Sequence, residues 1–398
     1  MEQKNSRKWL LLILLLAAFS VTFMTRFVWS PLNSTVSEAL GLSKIASGSF
    51  MSAFFIGYVI TQIPGGMLAD KFGVKYVISV GVLLTGLASI GMSFMAGYAQ
   101  GMIFRIITGL GAGVVMACYS KVISENFEQK DRGIAFGILL IGPTVGLTLA
   151  NQIGAAVLTA YGWQTAFRVV GYIAIAVAVI LFIFIKNTKA ETPGEKVTLL
   201  TGIKYVLSTR NLIFLCLAGF LYMFLNLGVS TWANAYLGSI GYDTAQAAGI
   251  MSIYSIGGIL GSLLTGVIVK KTNISVKYYL IGVYLLIAAV TLIFGFQTQL
   301  MVLKVAGFVY GFASYLPNAH LNALTLKFAP EHLSGSVMGV QNCVFQLASI
   351  LSPMIVGWSV DLTGTFRTCW FTLAAMPVIG LIFLFKMKES AESPLNHD

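Results

Sequence analysis

Long apolar segments recur along the chain and are separated by short polar turns. Each is about 20 residues long, the length that an α-helix needs to cross a bilayer core of ~30 Å. The segments lie at 9–33, 47–68, 76–97, 101–122, 133–157, 165–186, 211–237, 245–269, 277–296, 300–327, 335–359 and 367–386. No β-barrel alternation is visible, and helices are the other way to satisfy every backbone group in lipid. The pattern predicts an all-α membrane protein with twelve transmembrane helices.

One longer polar stretch, residues 187–210, divides the segments into two sets of six. It predicts an N-terminal bundle at 1–186, a cytoplasmic linker at 187–210, a C-terminal bundle at 211–390 and a cytoplasmic tail at 391–398. The halves resemble each other, because 65–75 and 261–271 both carry small residues before a lysine-bearing turn. This repetition predicts two pseudo-symmetric six-helix bundles, with a binding site between them at mid-membrane.

The composition supports the same class. Hydrophobic residues make up 57% of the chain and charged residues only 10%, whereas a soluble domain carries roughly 25% charged residues. No phosphate-binding loop, metal-ligand cluster or catalytic constellation is visible in the sequence. We therefore predict no enzyme activity, no catalytic residue, no metal site and no cofactor.

The placement of Lys and Arg predicts the orientation. With the N-terminus inside, all but six of the 25 Lys and Arg residues fall in cytoplasmic turns or tails. The six exceptions are Arg26, Lys44, Arg105, Arg168, Lys304 and Arg367. This distribution predicts a multi-pass protein of the cell inner (plasma) membrane with both termini in the cytoplasm. The net charge of +11 then reflects topology and attraction to anionic lipid, without a nucleic-acid partner, and nothing in the sequence requires more than a monomer.

Arg26 and Arg105 are the clearest charged residues inside predicted spans, where a charge costs from about 3 kcal/mol upward. No Asp or Glu lies deep in any span. Fixed positive charge without fixed negative charge predicts an anionic small-molecule substrate, since guanidinium groups bind carboxylates bidentately. The alternative for each arginine is a structural latch that bonds to backbone carbonyls.

Polar residues at helical spacing form stripes within the spans, and such stripes must face protein or water. We predict substrate contacts for Arg26, Tyr58, Arg105, Tyr119, Tyr222, Asn226, Asn318, Asn322, Gln341, Asn342 and Gln346. The alternative is hydrogen bonding between helices, worth only ~0.6–2 kcal/mol each, and both uses stay open. His320 stands off the Asn318 and Asn322 face, which favours helix packing over its alternative use as a proton relay.

Two short motifs stand out: Gly66-x-Leu68-x-Asp70-Lys71-x-Gly73-x-Lys75 between spans two and three, and Arg105-x-x-x-Gly109-x-Gly111 in span four. The first matches the signature loop of the major facilitator superfamily and the second is similar to its span-four motif, so the sequence resembles that superfamily. The resemblance implies a transporter that works by alternating access. It assigns a gating role to Gly66, Asp70, Lys71, Gly73 and Lys75. Asp70 is expected to form a contact that is made in one state and broken in the other.

A closer similarity is to the anion:cation symporter branch, which takes up organic anions such as sugar acids. It is carried by Arg26 followed by Leu40-Gly41-Leu42-Ser43, by 52–58, by Ile63-Pro64-Gly65-Gly66, by Gly162-Trp163 and by Ser352-Pro353-x-x-x-Gly357. The resemblance implies a secondary active or facilitative transporter of a small organic anion, a carboxylate or a sugar acid.

Two positions depart from that branch. Thr25 and Ala112 stand where it has carboxylates that are tied to proton coupling. Protons are the candidate coupling ion in that branch. Because this chain lacks both carboxylates, we expect uptake to depend only weakly on a proton gradient. The alternative function is a drug or metabolite efflux antiporter, suggested by a partial motif around Gly142-Pro143 and opposed by the lack of a membrane carboxylate.

Overall fold

The structure, a computed structural model, describes residues 2–185, 199–272 and 274–388, and every regular element in these ranges is helical. The helices are α1 Glu2–Phe27, α2 Trp29–Ala39, α3 Lys44–Phe72, α4 Val74–Met92, α5 Tyr98–Asn126, α6 Gln129–Leu139, α7 Gly142–Phe184, α8 Leu199–Ser208, α9 Arg210–Ser239, α10 Thr244–Thr272, α11 Val276–Phe296, α12 Leu300–Phe328, α13 Ser334–Thr363 and α14 Phe366–Lys386. A 3₁₀ turn, Glu331–Leu333, precedes α13.

Eleven stretches of the described chain are long and apolar enough to cross a membrane. One of them, Ile134–Phe184, has 51 residues, about 75 Å of helix and far too long for one crossing. Gly162 breaks it, with φ +82° and ψ 167°, a conformation that glycine tolerates because it has no Cβ. Counted as two spans, this stretch brings the total to the twelve that the sequence predicts.

The outward surfaces of these helices are apolar. Ile183 is 63% exposed, Leu87 50% and Ile382 51%. Exposed side chains of this kind on most helices suit contact with lipid tails and would be unfavourable in water. The small residues lie inside, as at Gly109 of α5, where an added Cβ would clash with the carbonyl oxygen of Phe54 on α3.

The first span is interrupted at Val28, between α1 and α2. Pro31 follows three residues later, and a proline has no N–H to donate to the carbonyl four residues before it, here that of Phe27. The interruption places the last residues of α1, including Thr25 and Arg26, at a helix end whose carbonyls accept donors from elsewhere.

The described chain forms two compact units. The first contains residues 2–185 together with Thr231–Ser255, and the second contains 199–230 and the described residues from Ile256 onward. The predicted bundles divide the chain at the linker alone. The end of α9 and the start of α10 belong to the first unit, and the predicted boundaries of the two bundles stay a prediction. Much of the predicted linker lies outside the described residues, but α8 occupies its second half and packs on α13.

Candidate functional site

The side chain of Arg26 lies in a pocket of phenylalanine rings in the first unit. Its guanidinium carbon is 4.1 Å from the ring centroid of Phe55, 4.8 Å from Phe23, 4.9 Å from Phe27 and 5.3 Å from Phe54. Phe23 and Phe27 flank Arg26 on its own helix, while the other two come from α3. Ring faces stabilise a cation through their quadrupoles, but they bring no negative charge of their own.

Arg105 is buried more deeply, at 1% exposure, and its donors reach backbone oxygens. Nε donates to the carbonyl of Phe50 at 3.1 Å, and the terminal nitrogens donate to Thr25 at 3.2 Å and Arg26 at 2.9 Å. A further contact joins Nη2 to the sulfur of Met51 at 3.4 Å. The cation therefore bonds the end of α1 to α3, as the latch interpretation expects. Substrate contact by Arg105 stays a prediction.

Two predicted tyrosines lie on the helices of the same unit. Tyr58 is half-buried on α3, with its ring 6.1 Å from that of Phe54 and 6.5 Å from that of Phe55. Tyr119 of α5 is 1% exposed, and its ring packs edge-on against Phe19 at 4.8 Å. Its hydroxyl is buried and has no hydrogen-bond partner. Buried polar groups are normally satisfied, so this hydroxyl is suited to a water molecule or a bound solute.

The second unit holds the predicted amide side chains. Asn318 and Asn322 lie one turn apart on α12, Asn342 and Gln346 one turn apart on α13, and all four are half-buried. Gln341 is fully buried, and its Nε2 donates to the carbonyl of Leu321 at 3.4 Å while its Oε1 has no partner. Amides of this kind can donate and accept, as a hydroxylated solute requires.

Tyr222 and Asn226 lie on α9 in the second unit. The Tyr222 hydroxyl donates to the carbonyl of Ser314 on α12 at 2.6 Å, which is a bond between helices, one of the two uses that the sequence leaves open. The Asn226 amide donates to the carbonyl of Tyr222 at 3.1 Å, a bond within α9. Substrate contact by either residue stays a prediction.

The signature loop connects α3 to α4 through Gly73. Its backbone φ of +89° is one that glycine adopts readily because it has no Cβ. Asp70, near the end of α3, forms a 2.6 Å ion pair with Lys121 of α5. Lys71 lies over the Phe72 ring at 5.3 Å and Lys75 over the Phe182 ring at 4.5 Å. Gly66 lies inside α3. The sequence identifies Asp70 as a pairing residue, but it does not identify Lys121 as its partner.

His320 is 9% exposed on α12. Its ring packs edge-on against Tyr279 at 4.8 Å, and Nε2 lies 3.4 Å from the carbonyl oxygen of Thr265. These contacts with α10 and α11 correspond to the packing role that its position on the helix favours.

Sequence reasoning missed a cluster of buried polar side chains within the first unit, which joins the end of α9 to α2 and α7. Asn234 donates to Asn151 Oδ1 at 2.8 Å and to Ser30 Oγ at 3.0 Å, and Ser30 donates to the carbonyl of Thr231 at 3.3 Å. Asn33 Nδ2, Thr231 Oγ1 and Asn234 Oδ1 are buried without partners. We call Ser30, Asn151, Thr231 and Asn234 the polar seam. The sequence feature that could have indicated this cluster is the presence of isolated Asn residues within apolar spans.

The comparison with known proteins decides the family. The sequence matches the Major Facilitator Superfamily over residues 14–353. The chain belongs to the Major Facilitator Superfamily. Members of this superfamily are membrane transporters, so the chain is a multi-pass transport protein and not an enzyme. The predicted fold and family are confirmed.

Two relatives and one solved structure illustrate the similarity within the superfamily. The chain is 25% identical to the hexuronate transporter of Bacillus subtilis (strain 168), over 94% of this chain and 93% of that protein. It is also 25% identical to a probable galactarate/D-glucarate transporter of the same organism, over 96% and 91%. Relatives of this kind correspond to the anion:cation symporter branch. A bacterial homologue of the lysosomal transporter Spinster shares the fold, with a TM-score of 0.80 at 17% identity over 95% and 96%.

Proposed function

We propose that this member of the superfamily transports a small organic anion, a carboxylate or a sugar acid, by alternating access. The observation that carries the proposal is the environment of Arg26. A guanidinium lies within a ring of phenylalanines, on helices without acidic residues at that depth. A substrate carboxylate would form a charge-assisted hydrogen bond with this guanidinium in a low-dielectric setting.

The relatives support the same substrate class, because two of them are named a hexuronate transporter and a probable galactarate/D-glucarate transporter. We propose the amide side chains of Asn318, Asn322, Gln341, Asn342 and Gln346 as substrate contacts, because an amide can donate to and accept from a hydroxyl or carbonyl group. We further propose that the protein lies in the cell inner membrane with both termini in the cytoplasm. The signature loop around Asp70 would act as a gate at the cytoplasmic ends of the helices.

The test is transport by the purified chain in liposomes. Labelled monocarboxylates, dicarboxylates and sugar acids are offered with and without an imposed gradient, beside cationic dyes. We expect one or more carboxylates to enter, and Arg26→Ala to abolish uptake while the protein still inserts and purifies. Transport of dyes without transport of any carboxylate would overturn the proposal in favour of drug efflux, and full uptake by Arg26→Ala would overturn the role of Arg26.

A further inference from the structure

We infer that α8 docks on the surface of the bilayer. An apolar face of the helix inserts among the lipid tails just below the headgroups, and basic side chains beside it bind the headgroups of anionic phospholipids. The inference goes beyond the proposed function, because it assigns a partner to a surface of the second unit whatever solute the chain carries.

α8 lies at the level where two spans of the second unit end. The hydroxyl of Tyr205 donates to the carbonyl of Phe328, the last residue of α12, at 3.3 Å. At Gly202, an added Cβ would lie 2.8 Å from the carbonyl group of Ser336, the third residue of α13. With ten residues, α8 is about 15 Å long and too short to cross a bilayer. The helix therefore lies at the boundary between bilayer and water.

The two sides of α8 differ in exposure, although both are apolar. Gly202 and Val206 lie on the buried side. On the opposite side Leu200 is 61% exposed, Ile203 36% and Leu207 67%. At 100° per residue these three side chains fall within about 60° of the helix circumference. An exposed apolar face of this kind at the level of the span ends is typical of a helix that lies in the membrane interface.

Basic side chains flank this apolar face. Lys204 is exposed and lies four residues after Leu200 and three before Leu207, so it is adjacent to both on the helix surface. Arg210 is exposed at the start of α9, directly after α8. A long basic side chain beside an inserted apolar face can extend its charge to the level of the lipid phosphates.

The whole of this end of the second unit is basic. In residues 199–230, 256–272 and 274–388, one acid, Glu331, lies at the helix ends on this side, against eight Lys and Arg residues. The eight are Lys204, Arg210, Lys270, Lys271, Lys277, Lys327, Lys386 and Lys388.

Hydrogen bonds hold several of these helix ends together. Lys277 of α11 donates to the carbonyls of Phe385 and Met387 at 3.2 and 2.7 Å, where α14 ends. Asn211 of α9 and Lys388 exchange two bonds of 3.0 Å. The basic residues therefore belong to one surface, and its excess of positive charge favours an anionic partner. Anionic phospholipid offers both negative headgroups and apolar tails at the depth of α8, which an acidic protein surface in water does not.

The experiment locates the apolar face with a fluorescent probe. Purified full chain is placed in nanodiscs of phosphatidylcholine and phosphatidylglycerol, with an environment-sensitive dye on a single cysteine. Leu207→Cys and Leu200→Cys place the dye on the apolar face, and Ser208→Cys places it on the exposed polar flank of the same helix. The background lacks Cys118, Cys216, Cys343 and Cys369. Quenching by iodide reports water, and quenching by spin-labelled lipid reports the bilayer.

We expect the dye at Leu207→Cys and Leu200→Cys to be quenched by lipid and to be shielded from iodide relative to Ser208→Cys. Spin-labelled phosphatidylglycerol should quench it more effectively than spin-labelled phosphatidylcholine, by about fivefold or more, the ratio expected for one basic side chain near an anionic surface. Lys204→Gln with Arg210→Gln should bring the two lipids close to equal. Lys304→Gln with Arg367→Gln, near the starts of α12 and α14, is the matched control and should keep the preference.

Three results would overturn the inference. Equal access of iodide to Leu207→Cys and Ser208→Cys would show that the apolar face lies in water. Protection from iodide without quenching by lipid would show that protein covers the face. A missing preference for phosphatidylglycerol, or an equal loss of it in the Lys304 and Arg367 control, would remove the role of Lys204 and Arg210. Circular dichroism and elution volume matching those of the parent establish that each variant is folded.

Discussion

Arg105 and Arg26 are joined through the backbone: a terminal N–H of the Arg105 guanidinium donates a 2.9 Å hydrogen bond to the carbonyl oxygen of Arg26. The same guanidinium bonds the carbonyl of Thr25. A cation at the carbonyl end of a helix interacts favourably with the helix dipole. One arginine thus fixes the end of α1, and the other, carried by that end, projects into the phenylalanine rings.

This relationship predicts how substitutions at Arg105 behave. Arg105→Lys and Arg105→Gln should lower the melting temperature alike and raise the KM for the transported anion about tenfold, because neither side chain reaches three carbonyls. Thermal melting and uptake kinetics in liposomes measure both effects. A residue that contacts the substrate by charge would behave differently, with uptake retained in the Lys variant and lost in the Gln variant.

A matched control is available at Arg168, whose Nε donates a 3.0 Å hydrogen bond to Ser93. Arg168→Lys replaces a guanidinium group of the same unit that bonds to Ser93 and not to the end of α1. We expect the KM of this variant to stay within about twofold of the parent, since a single hydrogen bond to a hydroxyl is a small contribution.

The rings around Arg26 give a second prediction. Phe55→Leu keeps the site apolar but removes the ring face nearest the guanidinium, at 4.1 Å. A cation–π contact contributes roughly 0.5–2 kcal/mol, so the KM should change by about 2- to 30-fold. Phe94→Leu is the control, because Phe94 lies 4.9 Å from the guanidinium of Arg168. An unchanged KM in Phe55→Leu, or an equal change in Phe94→Leu, would contradict a role for the rings in anion binding.

Much of the fold was predictable from the sequence because hydropathy reports span length directly. The break at Gly162 was anticipated as a turn, since the apolar run is interrupted there. The partners of the site were not predictable. Arg105 bonds to main-chain carbonyls, which every residue has, so no residue pattern points to Thr25 or Phe50 as its acceptors. The aromatic pocket was not predictable either, because phenylalanine is common in membrane spans and its presence alone indicates no binding site.

The polar seam was also not predictable, because it depends on contacts between residues that are distant in the sequence. Asn151 and Asn234 are 83 positions apart in the sequence, so no spacing along one helix indicates that they are in contact. Only the three-dimensional pairing of α7 with α9 makes them a cluster. The grouping of Thr231–Ser255 with the first unit depends on the same packing, and a division of the chain at its polar linker does not anticipate it.

The polar seam leads to a third prediction, that Asn151 and Asn234 separate in each transport cycle. Neutral hydrogen bonds contribute only modestly, and Thr231 Oγ1 and Asn234 Oδ1 lack partners in this arrangement. Both facts favour a contact that opens readily to water. Asn151→Cys with Asn234→Cys, in a background without Cys118, Cys216, Cys343 and Cys369, should form a disulfide on oxidation and stop uptake reversibly.

Each single cysteine variant serves as the control for that pair and should keep its uptake under the same oxidant. Reduction of the double variant should restore uptake. Full transport while the disulfide is intact, verified by the mobility of a fragment cut between α7 and α9, would contradict separation of the polar seam.

The Asp70–Lys121 ion pair gives the fourth prediction. Asp70 is 56% exposed at its side chain and Lys121 14%, and a pair of this kind adds at most about 1 kcal/mol to stability. Asp70→Asn should therefore change the melting temperature little but slow transport about tenfold, if the pair biases the gate. The exchanged pair, Asp70→Lys with Lys121→Asp, should recover part of the rate.

Lys8 and Asp131 provide a comparison, because they form a second ion pair, at 3.1 Å, in the same unit. Asp131→Asn should affect the rate less than Asp70→Asn does. Equal losses from both substitutions would show that any ion pair in the unit supports transport to the same degree and would remove the special role of the signature loop.

The fifth prediction concerns coupling. Thr25 donates its hydroxyl to the carbonyl of Thr22 at 2.9 Å, and Ala112 is 5% exposed on α5; neither titrates. Uptake should therefore depend weakly on an imposed proton gradient, changing less than about twofold when the gradient is collapsed.

Ala112→Glu introduces a group that binds and releases protons near neutral pH when its surroundings disfavour the charge. This variant should gain stimulation by an inward proton gradient, and Ala112→Gln, of similar size without a titrating group, should not. Strong proton stimulation of the parent protein would instead assign coupling to another residue, and His320→Gln would then test the buried histidine of α12.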